Sequence, residues 1–364
     1  HMSGRSEYVY NCRDCLDHHN TENVSYIPRL LTDKDALRSV TDFMNVRDMT
    51  RLGISSKTLR EAVDPIVTEQ IPREEWGEQV LHWPAERRDM VKKMRLEYLN
   101  RPLSPGDLPA NLTHLVFGHG YNQPLVPGVL PTSLTHITFW FDFKQPLVPG
   151  MFPPNLVYIE FGGFNQPLMP GVFPPSLTHL GLGDDFSFYI EPDVLPPSLI
   201  DLDLGSNFDQ YLEPGMLPPN LTHLDLGGFD QPLGPGVLPP NLTHLISSEF
   251  NKPLIPGVLP PNLTHLYLNE FKRPLVPGVF PQSLTHLEFG DNFNRPLVPG
   301  VFPSSLTHLD FGGDFNRPLV PGVLPSSLVH IKLGSRFDHT LVPGVFPSSL
   351  THLDFGGDFN QPLV

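Results

Sequence analysis

Ten histidines stand in one register along this chain: His114, His136, His179, His223, His244, His265, His286, His308, His330 and His352. Tyr158 and Asp201 occupy the same register where the series is interrupted. Two residues further on, a second column carries Glu160, Asp203, Asp225, Glu288, Asp310 and Asp354, with Tyr267 among them. Imidazole beside carboxylate at a fixed short spacing supports three kinds of chemistry. It can hold transition metals, it can take up protons as the pH falls, and it can present a polar surface to a ligand or a protein. A fourth reading is structural: neutral rings stacked as a ladder that stiffens whatever carries them. Catalysis fits poorly. The pattern recurs unit after unit, whereas a catalytic site is singular, and no Ser-His-Asp order, phosphate loop or nucleotide fingerprint is present. No cofactor is implied.

The register follows from an internal repeat. Its opening leucines fall at Leu112, Leu134, Leu156, Leu177, Leu199, Leu221, Leu242, Leu263, Leu284, Leu306, Leu328 and Leu350, in steps of 21 or 22 residues. A weaker unit begins at Val91. Units of this length cannot bury an apolar face alone and must stack on their neighbours, so residues 91–364 are expected to form a solenoid of about thirteen repeats. In Leu-x-x-Leu-x-Phe the apolar residues alternate with polar ones, the signature of a short strand. The following Pro-Gly-Val-Leu-Pro segment excludes helix, because proline removes amide donors and fixes φ. Each coil therefore pairs one strand with a proline-rich return. Stacked coils give a parallel sheet on the concave face and a non-helical convex side. The histidines then form a ladder near the inter-strand spacing of about 4.8 Å. Full protonation of such a ladder is opposed, since like charges at that distance repel by roughly 0.9 kcal/mol in water. The concave surface is expected to gain positive charge below about pH 6. An aromatic column from Tyr121 to Phe359 reads as a buried spine, and the Asn and Asp residues that follow it as amide-satisfying groups inside the coil.

The layout resembles leucine-rich repeats, with the usual asparagine displaced into a Phe-Asn pair, as in Phe293-Asn294 and Phe315-Asn316. With Gly-x-x-Phe-Asn-x-Pro-Leu recurring, the units resemble the FNIP-repeat proteins of social amoebae and giant viruses. That resemblance implies a leucine-rich-repeat variant and a binding role. Solenoid specificity rests on variable positions such as Val116, Thr138, Ile246, Tyr267 and Lys332.

The first ninety residues differ. Residues 1–31 read as a flexible tail. Within it Cys12, Cys15, His18 and His19 resemble half of a zinc site, but all four crowd into eight residues. Residues 32–90 read as a small α-helical module that caps the first coil. The run with Leu37, Val40, Phe43, Met44, Asp48 and Met49, continuing to Ser55-Ser56-Lys57 and Arg60, resembles an F-box. The Leu-Pro that opens such motifs falls on Thr32-Asp33 here. The resemblance implies docking on the Skp adaptor of a cullin-RING ubiquitin ligase.

Bulk properties narrow the partners. A net charge of −15 argues against nucleic acid and against anionic membranes. No apolar run approaches the roughly 18 residues a membrane helix needs. Two cysteines and no disulfide framework suggest a reducing compartment, the cytoplasm or a host cytoplasm for a viral protein. The repeat is left half-finished at Gln361-Pro362-Leu363-Val364, so a homodimer through an open edge is a further expectation.

Overall fold

A computed structural model describes residues 77–362. The cysteines and histidines of the tail, and the F-box-like residues Leu37 through Met49, lie outside the described residues. The chain divides into two compact units between Val80 and Leu81, and the architecture below is that of the second. A 3₁₀ turn over Glu78–His82 and one four-residue helix, Ala85–Arg88, precede the array.

Thirteen strands follow in chain order. They are β1 (Lys93–Leu96), β2 (His114–Phe117), β3 (His136–Phe139), β4 (Tyr158–Phe161), β5 (His179–Gly181), β6 (Asp201–Asp203) and β7 (His223–Asp225), then β8 (His244–Ser247), β9 (His265–Leu268), β10 (His286–Phe289), β11 (His308–Asp310), β12 (His330–Lys332) and β13 (His352–Asp354). They form one parallel sheet in the order β1 to β13. Each strand pairs in register with the next, so that His265 faces His286 and His286 faces His308. Burial alternates as the sequence predicts: in β8, β9 and β10 the second and fourth residues are buried and the first and third partly open.

The return is made of two tight turns per coil. In Val126-Pro127-Gly128-Val129 the Val129 amide donates to the Val126 carbonyl at 3.2 Å, and Gly128 has φ +87°. Proline followed by a left-handed residue is the requirement of a type II turn, which only glycine meets freely. Asp193 takes that position in one coil, at φ +62°, and is the one non-glycine residue with positive φ among those described. The second turn closes Pro131 onto Leu134, whose amide donates at 3.0 Å. From each spine aromatic to the next opening leucine the count is constant, thirteen residues for Phe143 to Leu156 and again for Phe164 to Leu177. The 21- and 22-residue steps differ only between strand and aromatic.

Aromatic rings run through the interior. Phe186, Phe208 and Phe229 are fully buried and stack at 6.0 and 6.5 Å between centroids. Imidazoles on the other side of the sheet lie 4.2–4.3 Å apart from His223 to His308. Strands themselves sit about 4.8 Å apart. Coils closer together at the histidines than at the spine make the sheet the concave face. The spine is closed from Tyr121 to Phe337, while Phe359 is half-buried.

The Asn and Asp column departs from expectation. These residues lie half-exposed or exposed, not inside the coil. They still satisfy amides, but those of the next coil: Asn122 accepts from Lys144 N at 3.0 Å, Asn251 from Lys272 N at 2.9 Å, and Asp338 from Asn360 N at 3.0 Å. The carboxamide reaches outward because the unpaired amide belongs to the neighbour.

Replacing Phe208 by Ala is expected to cost about 3–5 kcal/mol in denaturant unfolding, the range for truncating a buried Phe. The same change at half-buried Phe359 is expected to cost a small fraction of that. Equal losses at the two positions would show that the spine does not carry the stability assigned to it.

Candidate functional site

The residues of the two sequence columns come together on the concave face. Each histidine opens a strand, where the pleat turns its side chain away from the buried leucine that follows. His114 and His136 stack at 4.3 Å, and the run from His223 to His308 stacks without interruption. Tyr158 continues the first run at 5.6 Å from His136. Asp201, paired in register with His179 and His223, separates the two runs.

What orients these rings is the threonine before them. In nine coils the Thr Oγ1 lies 2.8–2.9 Å from Nδ1 of the following histidine. The same hydroxyl lies near the backbone carbonyl of the preceding coil, as Thr135 does to Thr113 O at 3.0 Å and Thr264 to Thr243 O at 3.0 Å. A hydroxyl has one proton, and the carbonyl can only accept. Thr therefore donates to the carbonyl and accepts from Nδ1–H. We assign the neutral rings to the Nδ1-protonated tautomer, which leaves Nε2 as an acceptor. His330 is the exception that tests the rule. It follows Val329, has no such hydroxyl, and its ring tilts by 44° at 5.6 Å from His308.

Desolvation lowers the titration of four rings of the ladder. Burial, then the charge of His136 and of Lys93, lowers His114 to about 4. Burial, then the neighbouring histidines, lowers His286 to about 4. His136 and His308 are lowered for the same reasons, burial first. The expected charging below about pH 6 is thus corrected for these positions: His114 and His286 stay neutral well below that value.

Position-five carboxylates are less free than their spacing suggests. One oxygen of Asp225, Asp310 and Asp354 accepts the amide of the glycine two residues on, at 2.8, 2.8 and 2.9 Å, and Asp203 does so at 3.2 Å. Each of these bonds ties down the strand exit. Asp310 also holds Lys332 Nζ at 2.9 Å. Glu160 is buried, with the Tyr158 hydroxyl donating to it at 3.4 Å, and its carboxylate lies where a side chain at Gly181 would stand. Tyr267 and Glu288 face one another across β9 and β10, half-exposed.

Metal binding is a weak use of this face. Stacked, coplanar imidazoles point their Nε2 lone pairs in parallel, so they do not converge on one ion. Among the described residues no group of three or more His, Cys, Asp or Glu is placed to hold a metal, and no helix is long and apolar enough to cross a membrane.

Two columns escaped the sequence reading. The residue before each opening leucine is Ser or Asn. Ser176 and Ser305 donate to the opening leucine's carbonyl one coil back at 2.6 Å, while Asn155 and Asn241 donate to the preceding turn at 3.0 Å. The threonines form the second. Both were legible as columns, since they keep one register through the array.

Two predictions follow from the ladder. Thr285→Val should free His286 from its Nδ1 partner and shift its tautomer toward Nε2–H, read by long-range ¹⁵N correlation; an unchanged tautomer would refute the assignment. His286, bound to fewer protons in the folded state than in the unfolded chain, contributes stability present above pH 6.5 and lost as the pH falls toward about 4. His286→Gln should accordingly flatten the fall in melting temperature across that window.

A family model for the FNIP repeat matches residues 100–141, 121–163, 164–207, 189–229, 208–248, 250–292, 293–336 and 337–364. The crystal structure of the giant-virus protein CroV588, described as a novel circular LRR protein, superposes with a TM-score of 0.73 at 41% identity. The match covers 75% of this chain and 41% of that longer one. An internalin of Listeria monocytogenes superposes at 0.54 with 15% identity, over 78% of this chain and 92% of the other. The Drosophila Toll–Spatzle complex in its glycosylated form gives 0.52 at 17%, over 72% and 43%. The last two show the shared fold alone. No similar sequence is found among curated proteins.

Proposed function

This chain belongs to the FNIP-repeat family, and we propose that it is a protein-interaction scaffold whose concave face receives a partner. One observation carries the reading: ten histidines, half-exposed or exposed, line one face of the sheet between β2 and β13, with acidic side chains two residues on in several of the same strands. Such a surface suits a partner that brings donors and positive charge. From β4 to β13 the second column holds six Asp and Glu residues and the histidine register holds Asp201, while the two columns together hold a single lysine, Lys332, and no arginine. Complementary charge of this kind speeds encounter and fixes orientation.

The finer reading adds a ligase. The F-box-like run from Leu37 to Arg60 would link the bound protein to a cullin-RING ubiquitin ligase through a Skp adaptor, in the cytoplasm of the cell or of a virus host. Direct pull-down with purified Skp adaptor tests this arm. Failure to bind would leave a scaffold without a ligase role.

The concave face is tested by affinity capture and mass spectrometry with a variant carrying Tyr267→Lys and Glu288→Lys. Lysine is tolerated at that position, since Lys332 holds it in β12. A genuine concave-face partner is expected to be captured by the native chain and lost from the variant. Retention of every captured protein would place binding elsewhere.

A further inference from the structure

Two residues after the spine aromatic, six of the twelve coils carry glutamine, as at Gln145 and Gln210. Three consecutive coils carry arginine instead: Arg273, Arg295 and Arg317. Both side chains make the same stitch. Gln145 Nε2 donates to Asn122 O at 3.1 Å and Gln210 to Ser187 O at 3.0 Å. Arg273 Nε donates to Asn251 O at 2.7 Å, Arg295 to Lys272 O at 2.6 Å and Arg317 to Asn294 O at 3.3 Å. Glutamine closes the coil as well as arginine does, so folding does not require the charge.

The guanidinium groups are therefore held at Nε, with Arg273 and Arg295 exposed and Arg317 half-exposed. Among the described residues no ion pair involves these three arginines. Acids on the same coils are already engaged: Glu270 with Lys272 at 3.0 Å, and Asp314 with Arg336 at 3.1 Å. The coils here are spaced 6.1–6.3 Å apart at the adjacent spine rings. Beside the arginines runs a second row, Val276, Val298 and Val320, between 42% and 45% exposed.

We propose that this edge binds an acidic segment of a partner protein in extended conformation, with Asp or Glu at every second residue. A strand advances about 3.3 Å per residue, so alternate side chains on one face repeat at roughly 6.6 Å, close to the coil spacing. Carboxylates at i, i+2 and i+4 then meet the three forks one to one, and a planar guanidinium grips each through paired N–H groups. The valine row borders the strip with methyl groups. The site stands apart from the concave face and needs no partner there.

The test uses the whole chain and two fluorescein-labelled ten-residue peptides of equal composition, one alternating Glu and Thr, the other with all Glu in one block, in anisotropy titrations. The alternating peptide is expected to bind about tenfold more tightly, and more weakly as salt rises, because exposed pairs are screened. In the triple variant Arg273→Gln, Arg295→Gln and Arg317→Gln, affinity should fall about tenfold, three exposed pairs contributing roughly two- to threefold each. Its circular dichroism and melting should match the native chain, since glutamine keeps the stitch. Tyr267→Lys with Glu288→Lys, which adds positive charge to the concave face of the same coils, should not weaken this binding. Equal affinity of the two peptides would overturn the spacing argument. Undiminished binding by the triple variant, loss of binding in the concave-face variant, or tighter binding of a single-stranded oligonucleotide of equal charge would overturn the site.

Discussion

No coil of this array can satisfy its own backbone. A twenty-odd-residue loop with three or four strand residues and several prolines has too few internal donors, and buried amides left unpaired cost about 1–3 kcal/mol each. The neighbour supplies what is missing. Thr hydroxyls reach back to one carbonyl, Ser hydroxyls to another, and Asn or Asp oxygens take the amides of the following coil. Each of these bonds joins neighbouring coils at the same or the adjacent repeat position. That is why the sequence must repeat at all: a donor placed out of register would leave its acceptor unmatched.

The same constraint shapes the concave face. Because Thr135 and Thr264 commit their protons to the preceding coil, the following imidazoles have one remaining way to bond, and all face outward with the same nitrogen. Stacking at 4.2–4.3 Å follows from the curvature, which crowds the sheet face while the spine stays near 6 Å. At His286 burial and then the neighbouring histidines oppose protonation. A structural stitch thus sets which ring nitrogen faces outward, while burial holds His114 and His286 neutral well below the usual imidazole range.

Much of this was legible from residue order. The alternation in Leu-x-x-Leu-x-Phe located the strands, and the prolines located the return, because both act through the local backbone. The aromatic spine was legible because a ring in every unit can hardly all be exposed. Less legible were the contacts that run between coils. Asn122 reads as an interior cap until the next coil's amide is seen 3.0 Å away. Asp225 reads as a free surface acid until Gly227 N is found on it. Glu160 reads as exposed, and is buried because the neighbouring coil has glycine at Gly181. Periodicity identifies a column but says nothing of which adjacent column it touches.

One feature of the coil has a bearing on how such molecules change. The stretch from spine aromatic to opening leucine never varies in length, because stitches cross it at several points. Only the short passage leaving each strand does, holding one residue more in some units than in others. Added segments are accommodated there without shifting any register. Because those passages line up on a single rim, insertions in different units would gather side by side, giving the scaffold a place to acquire new loops while its interior stays as it is.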